Sequence, residues 1–222
     1  MPQVLAVVGP TATGKSDLAV ALAQAVGGEV VNADSMQLYR GMDVGTAKLT
    51  VAEQQGVPHH LLDVWDVRHT ATAAEYQALA RERIDALLAT GSRPVLVGGS
   101  GLYLRAALDE LEFPGTDPVL RAELEAELAE RGPLALHGRL ATLDPSAAQR
   151  MEPTNGRRVV RALEVVLLTG AMPGAMTAYD SRYETTYLGL DRPDLAERTD
   201  RRVDRMWEQG LVEEVRRLAA DG

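Results

Sequence analysis

Val4-Leu5-Ala6-Val7-Val8 runs directly into Gly9-Pro10-Thr11-Ala12-Thr13-Gly14-Lys15-Ser16. The first five residues form a short continuous apolar run, the pattern of a buried parallel strand. The next eight fit G-x-x-x-x-G-K-[ST], the phosphate-binding P-loop, placed after a strand and opening a helix. Glycines let the backbone curl so that several N–H groups converge on phosphate oxygens, and the helix N-terminus adds its partial positive charge. Lys15 supplies a full charge to the terminal phosphate, and the Ser16 hydroxyl is a ligand for Mg²⁺. The motif identifies a phosphorylated ligand but not a reaction. A kinase, a nucleoside triphosphatase and a diphosphate-handling transferase all stay open.

Working outward, Gly14 to Val26 has apolar residues at helical spacing and is stopped by Gly27-Gly28. Strands are predicted at Glu29–Ala33, His60–Val64, Arg93–Val97 and Thr185–Leu190. Helices are predicted at Thr72–Ala89, from Leu102, and continuously over Asp194–Leu218. From Asp117 to about Gly170 every signal is helical, with starts at Asp117-Pro118 and Asp144-Pro145, a break at Gly132-Pro133 and a helix over Arg157–Leu168. The expected fold is α/β: a P-loop NTPase-like parallel sheet flanked by helices, interrupted by a small all-helical insertion. The expected core is 1–115 with 184–222, and the insertion 116–183.

Composition narrows the setting. The chain has 222 residues, 45% apolar and 25% charged, ordinary for a globular protein. No apolar stretch approaches the length that spans a bilayer, and Met1-Pro2-Gln3 lacks the basic start of a signal peptide. Without cysteine, no disulfide or thiolate metal site forms. A cytoplasmic protein is expected. The net charge of −9 argues against indiscriminate coating of nucleic acid. Only seven of the 23 basic residues fall in the first hundred positions, and the later ones cluster at 157–161 and 198–205, which allows a local basic face. Lys15 and Lys48 are the only lysines, so each invites a specific explanation. His59 and His60, adjacent on a strand, point to opposite faces and do not chelate one ion jointly. The tryptophans and tyrosines are too scattered for a base-stacking platform, and most are expected in the core.

A second segment is more specific. Asp34-Ser35-Met36-Gln37-Leu38-Tyr39-Arg40-Gly41-Met42-Asp43-Val44-Gly45-Thr46-Ala47-Lys48 resembles the tRNA dimethylallyltransferase (isopentenyl-tRNA transferase) family. So do Pro58 to Asp63, Val97 to Tyr103, Arg157 to Val165, and Arg198 and Arg202 followed by Met206, Gly210 and Glu213-Glu214-Val215. The resemblance covers nearly the whole chain. It implies transfer of a dimethylallyl group from dimethylallyl diphosphate to the N6 amine of the adenosine 3′ of the anticodon in tRNA. By resemblance Asp34 is the base that accepts the amine proton, a task worth about 10² to 10⁴ in rate. Lys15, Thr11 and Arg202 then serve the leaving diphosphate, which Gly9 to Ser16 and Arg198 help to bind, with Mg²⁺ at Ser16. Arg198 and Arg202, four apart, share a helix face. A base in an anticodon loop has to be flipped out and read by its edges. The resemblance implies tRNA contacts at Asp34, Ser35, Met36, Gln37, Ser100, Arg121, Arg157, Arg158 and Arg161, although many members carry glutamine where Arg157 stands. A monomer, with the tRNA anticodon stem-loop as partner and no membrane, completes the expectation.

Three other readings stand beside it. A small-molecule P-loop kinase shares the loop and sheet but leaves the Asp34–Gln37 segment and the insertion unexplained. A transferase acting on free AMP shares the chemistry without the RNA surface. An inactive RNA-binding remnant is the third, because family members continue with further motifs past Ala219-Ala220-Asp221-Gly222. A natural end there would omit part of the channel around the prenyl group.

Overall fold

The computed structural model describes residues 3–173 and 180–221. Met1, Pro2, 174–179 and Gly222, which belong to the expected core and insertion spans, lie outside them. By its internal contacts the chain divides into two compact units, Met1–Leu111 with Asp180–Gly222, and Glu112–Tyr179. The division falls about four residues earlier than expected at both ends. The reason is a stitch between the outgoing and returning strands: the N–H of Glu110 donates to Asp180 O (2.7 Å), and that of Arg182 to Leu108 O (2.8 Å).

The first unit holds a five-stranded, fully parallel sheet. Its strands are β1 (Val4–Val8), β2 (Gly28–Asn32), β3 (His59–His60), β4 (Arg93–Gly98) and β5 (Thr185–Gly189), in the order β3-β2-β4-β1-β5. The order puts the C-terminal ends of β1, β2 and β4 side by side. Helix α1 (Lys15–Val26) packs Ala19, Val20 and Ala23 on Leu5, Val7, Val30 and Val95. Helix α2 (Ala73–Ala89) buries Tyr76, Ala80, Ile84 and Leu87. It starts in a capping box: Glu75 N–H donates to Thr72 Oγ1 (3.1 Å) and Thr72 N–H to Glu75 Oε2 (2.9 Å), worth about 1 kcal/mol. Tyr76 is fully buried, and its hydroxyl is satisfied by Asn32 O at 3.0 Å. Helix α3 (Gly101–Leu108) follows β4.

The second unit is all-helical: α4 (Pro118–Leu143), α5 (Pro145–Gln149) and α6 (Gly156–Thr169). Asp117 and Asp144 cap α4 and α5, each with proline at the first helical position. The Gly132-Pro133 break is a kink within α4, with Gly132 at φ 76°. Leu124, Leu136, Leu140, Val159, Leu163 and Val166 form the core. Within it lies the carboxylate of Glu164, fully buried and shared by the guanidiniums of Arg121 and Arg161 and the N–H of Asp117.

Three local expectations need correction. The third strand stops at His60, because Leu61 (φ 61°) and Asp63 (φ 56°) turn the chain away. The last helical stretch is two helices, α7 (Leu195–Glu208) and α8 (Leu211–Asp221), separated at Gly210 (φ 92°). Trp207, expected among the core aromatics, is 60% exposed.

Candidate active site

The site lies in the first unit, where β1 ends. Gly9 has φ 149°, and a side chain there would collide with the carbonyl of Leu190, which follows β5. Gly14 (φ 92°) and Ala12 (φ 65°) bring the loop round to the start of α1. The buried Thr13 hydroxyl donates to Pro10 O (2.9 Å), bracing the loop from inside, and Lys15 Nζ donates to the same carbonyl (2.6 Å). The sequence places Thr13 in the diphosphate-binding loop but gives no sign that its hydroxyl turns inward to brace it.

A cavity of about 210 Å³ opens against the loop, lined by Lys15, Ser16, Arg198, Arg202 and Arg205 among others. Arg198 Nε donates to Ala12 O (2.7 Å), and Arg202 donates to Thr46 O (3.1 Å). Their four-residue spacing on α7 therefore brings both into one site. Arg205 joins them, one further step round the same face. Arg201 instead pairs with Glu197 at 3.4 Å. Burial lowers the pKa of Lys15; Asp34 opposes the shift and Arg202 adds to it. Burial likewise lowers that of Arg202, again opposed by Asp34. A cradle that disfavours its own positive charge is one that an anion stabilises on arrival.

Asp34 follows β2 and is held by its neighbours. Its N–H donates to Asn32 Oδ1 (3.0 Å), while Asn32 Nδ2 donates to Asp34 O (3.0 Å) and Leu61 O (3.0 Å). Buried Asn32 thus fixes the turn that carries Asp34, a task that only its proximity in sequence hinted at. Gly98 lets β4 come close here, since a Cβ at that position would lie 2.5 Å from Ala33 O. Asp34 Oδ1 accepts the Met36 N–H (2.9 Å), so Ser35, Met36 and Gln37 leave in a tight turn. The Asp34 carboxylate lies outside the cavity lining, yet its charge acts on both Lys15 and Arg202.

The remaining expected residues divide between the units. Thr11 is exposed on the P-loop, and Ser100 stands at the N-cap position of α3 beyond β4, with no side-chain hydrogen bond to the helix. Gln37 Nε2 donates to Thr46 O (3.1 Å). Arg121, Arg157, Arg158 and Arg161 lie in the helical unit. Arg157 and Arg158 are exposed; Arg121 and Arg161 spend their charge on Glu164, and Arg161 also donates to Pro114 O (2.7 Å) and Gly115 O (3.1 Å). His59 Nδ1 pairs with Val57 O (2.9 Å) and His60 Nε2 with Glu29 (2.6 Å). Among the described residues no group of three His, Cys, Asp or Glu is placed to hold a metal, and no helix is long and apolar enough to cross a membrane.

The family model described as IPP transferase matches residues 37–222. The tRNA dimethylallyltransferase of Streptomyces coelicolor is 67% identical over 224 residues, spanning 100% of this chain and 72% of the relative. The chain belongs to the IPP transferase family. Its solved structures share the architecture. The tRNA isopentenylpyrophosphate transferase of Bacillus halodurans is 43% identical with a TM-score of 0.66, covering 100% of this chain and 71% of its own. A eukaryotic dimethylallyltransferase acting on tRNA is 29% identical with a TM-score of 0.85, over 99% of this chain and 56% of its own. The segment from Gln37 onward lies inside the family match.

Proposed function

We propose that this chain transfers a dimethylallyl group from dimethylallyl diphosphate to the N6 amine of the adenosine 3′ of the anticodon in tRNA, releasing diphosphate. The observation that carries the reading is a P-loop cavity lined by Lys15, Arg198 and Arg202, in a chain 67% identical to a tRNA dimethylallyltransferase, with the Asp34 carboxylate near enough for its charge to act on Lys15 and Arg202. Prenyl transfer to an amine needs that polarity. The carbon–oxygen bond to diphosphate breaks, with both electrons leaving on the diphosphate. The amine lone pair forms the new carbon–nitrogen bond, and its proton passes to the Asp34 carboxylate. Lys15, the P-loop N–H groups, Arg198 and Arg202 neutralise the charge that grows on the leaving group, with Thr11 beside them. The donor set fits a hard cation: Ser16 offers a hydroxyl at the cavity wall, and diphosphate and water supply the other oxygens. Mg²⁺ bound there adds positive charge to the leaving diphosphate. No acidic trio competes for the ion among the described residues.

On the RNA side, Asp34 to Gln37 receive the flipped adenine. Ser100 of the first unit and Arg121, Arg157, Arg158 and Arg161 of the helical unit contact the RNA, Arg121 and Arg161 being ordered by Glu164. The protein acts as a monomer in the cytoplasm. The test is mass spectrometry of nucleosides from tRNA incubated with dimethylallyl diphosphate and Mg²⁺. An adenosine carrying one five-carbon substituent is the expected product. Unchanged tRNA, or turnover of AMP in its place, would overturn the assignment.

A further inference from the structure

The carboxylate of Glu214 is 7% exposed and has no part in the chemistry above. It stands in the first turn of α8, and its two oxygens take three successive backbone N–H groups. Oε2 accepts from Asp43 (2.9 Å) and Val44 (2.7 Å), and Oε1 from Gly45 (2.9 Å). Three converging amides make a concavity that binds an anion. Here the anion comes from the same chain, about 170 residues further on.

The next residue is Thr46, whose carbonyl receives both Arg202 (3.1 Å) and Gln37 Nε2 (3.1 Å). The Thr46 hydroxyl donates to Met42 O (2.7 Å), so this carbonyl cannot move independently of the loop that Glu214 holds. Two further ties fix the loop. Arg217 donates to Gly41 O (3.1 Å), and a Cβ on Gly45 would lie 3.1 Å from Leu211 Cδ1. Lys48 closes the other side, its ammonium donating to Tyr39 O (2.9 Å), Asp43 (2.7 Å) and Asp63 (2.6 Å).

We propose that Glu214 is a positioning residue: by holding the amides of residues 43–45 it sets the Thr46 carbonyl, and through that carbonyl it aims the Arg202 guanidinium at the diphosphate. The inference rests on the diphosphate reading of the cavity and deepens it.

Affinity for inorganic diphosphate, measured by calorimetry on the full chain, tests it without any need for turnover. Glu214→Gln keeps the shape but turns an amide NH₂ toward one of the three N–H groups. Alone it should weaken diphosphate binding about 3- to 10-fold, and Arg202→Ala alone about 10- to 100-fold. Because Glu214 acts through Arg202, adding Glu214→Gln to Arg202→Ala should cost less than about 2-fold more. Gly45→Ala, which presses on Leu211 without removing a charge, repeats the cycle if the glutamine variant does not fold. A residue that only holds the fold together gives additive losses, and additivity in the cycle would overturn the inference. Wild-type protein that binds no diphosphate would overturn the cavity reading together with it. Binding with additive losses overturns this inference alone.

Discussion

Replacing Asp34 by asparagine should move binding and turnover in opposite directions. The carboxylate attracts Lys15 and Arg202, and equally it repels the diphosphate that these cations receive. Taking a separation of roughly 10 Å and an effective dielectric constant of about 20, one pair of unit charges interacts by about 1.7 kcal/mol. Physiological salt reduces this to about 0.5 kcal/mol for a solvent-exposed pair. Asp34→Asn should therefore bind inorganic diphosphate about 2- to 15-fold more tightly than wild type, with the gain shrinking as salt is added. The amide keeps the turn, since it can still accept the Met36 N–H. It cannot take the proton of the adenine amine, so single-turnover transfer to an anticodon stem-loop should slow by about 10² to 10⁴. Calorimetry and rapid quench, run on the same preparation, read the two effects. Normal transfer would show that Asp34 is not the base. Weakened diphosphate binding would show that its charge is not directed at the cradle.

Burial, the main cause, lowers the pKa of Lys15, so as pH rises its charge is lost earlier than that of an ordinary lysine. As pH rises, diphosphate affinity should accordingly decline before an ordinary lysine would titrate, and Lys15→Arg should remove that alkaline limb in a calorimetric pH series. Glu164→Ala leaves two guanidiniums facing an apolar core. The cost should be about 2–4 kcal/mol in chemical denaturation, softened because both arginines reach solvent. Asp144 is held at about 2, below its usual 3.8, first by the Ala147 N–H, then by the Met172 N–H and the Ser146 hydroxyl. Its contribution is complete above pH 3.8 and disappears as pH falls through about 2, so Asp144→Asn should flatten the acid-unfolding curve in that window, followed by circular dichroism.

Features set by short-range chemistry were legible in the sequence. The curl from Gly9 to Lys15 and the Asp-Pro starts of α4 and α5 each depend on residues within a turn of one another. The third strand was not legible, because the turn at Leu61 is held from outside by Asn32, and that at Asp63 by Lys48. The break between α7 and α8 did carry a signal, Gly210, which the amphipathic pattern on either side concealed. The shared partner of Arg121 and Arg161 was not legible, because arginine runs do not reveal what they pair with. Glu164 lies three residues from one and 43 from the other, buried on the same helix as Arg161. Glu214 shows the limit most clearly. An acidic residue on a C-terminal helix reads as solvent-facing until the fold brings the 43–45 amides to it.

A cationic cradle on this fold could serve many reactions, and what would suit it to a diphosphate leaving group is how its cations are held. Lys15, Arg198 and Arg202 each spend a donor on a backbone carbonyl, at Pro10, Ala12 and Thr46 respectively. An ammonium has three donors and a guanidinium five, so each is aimed by one bond and keeps others for an anion. The carbonyls are fixed in turn: Pro10 by Thr13, Thr46 by the loop clamped on Glu214. Charge that grows on a departing diphosphate then meets dipoles already in place, and little reorganisation is left for the moment of bond breaking. On the far side, Asn32 holds Asp34 by the same device of side chain bonded to backbone. The acceptor side is thus ordered from the end of β2 and the leaving-group side from β1, α7 and α8, and the two meet at the Thr46 carbonyl, which takes both Gln37 and Arg202. A variant that moves that carbonyl should therefore disturb binding on both sides.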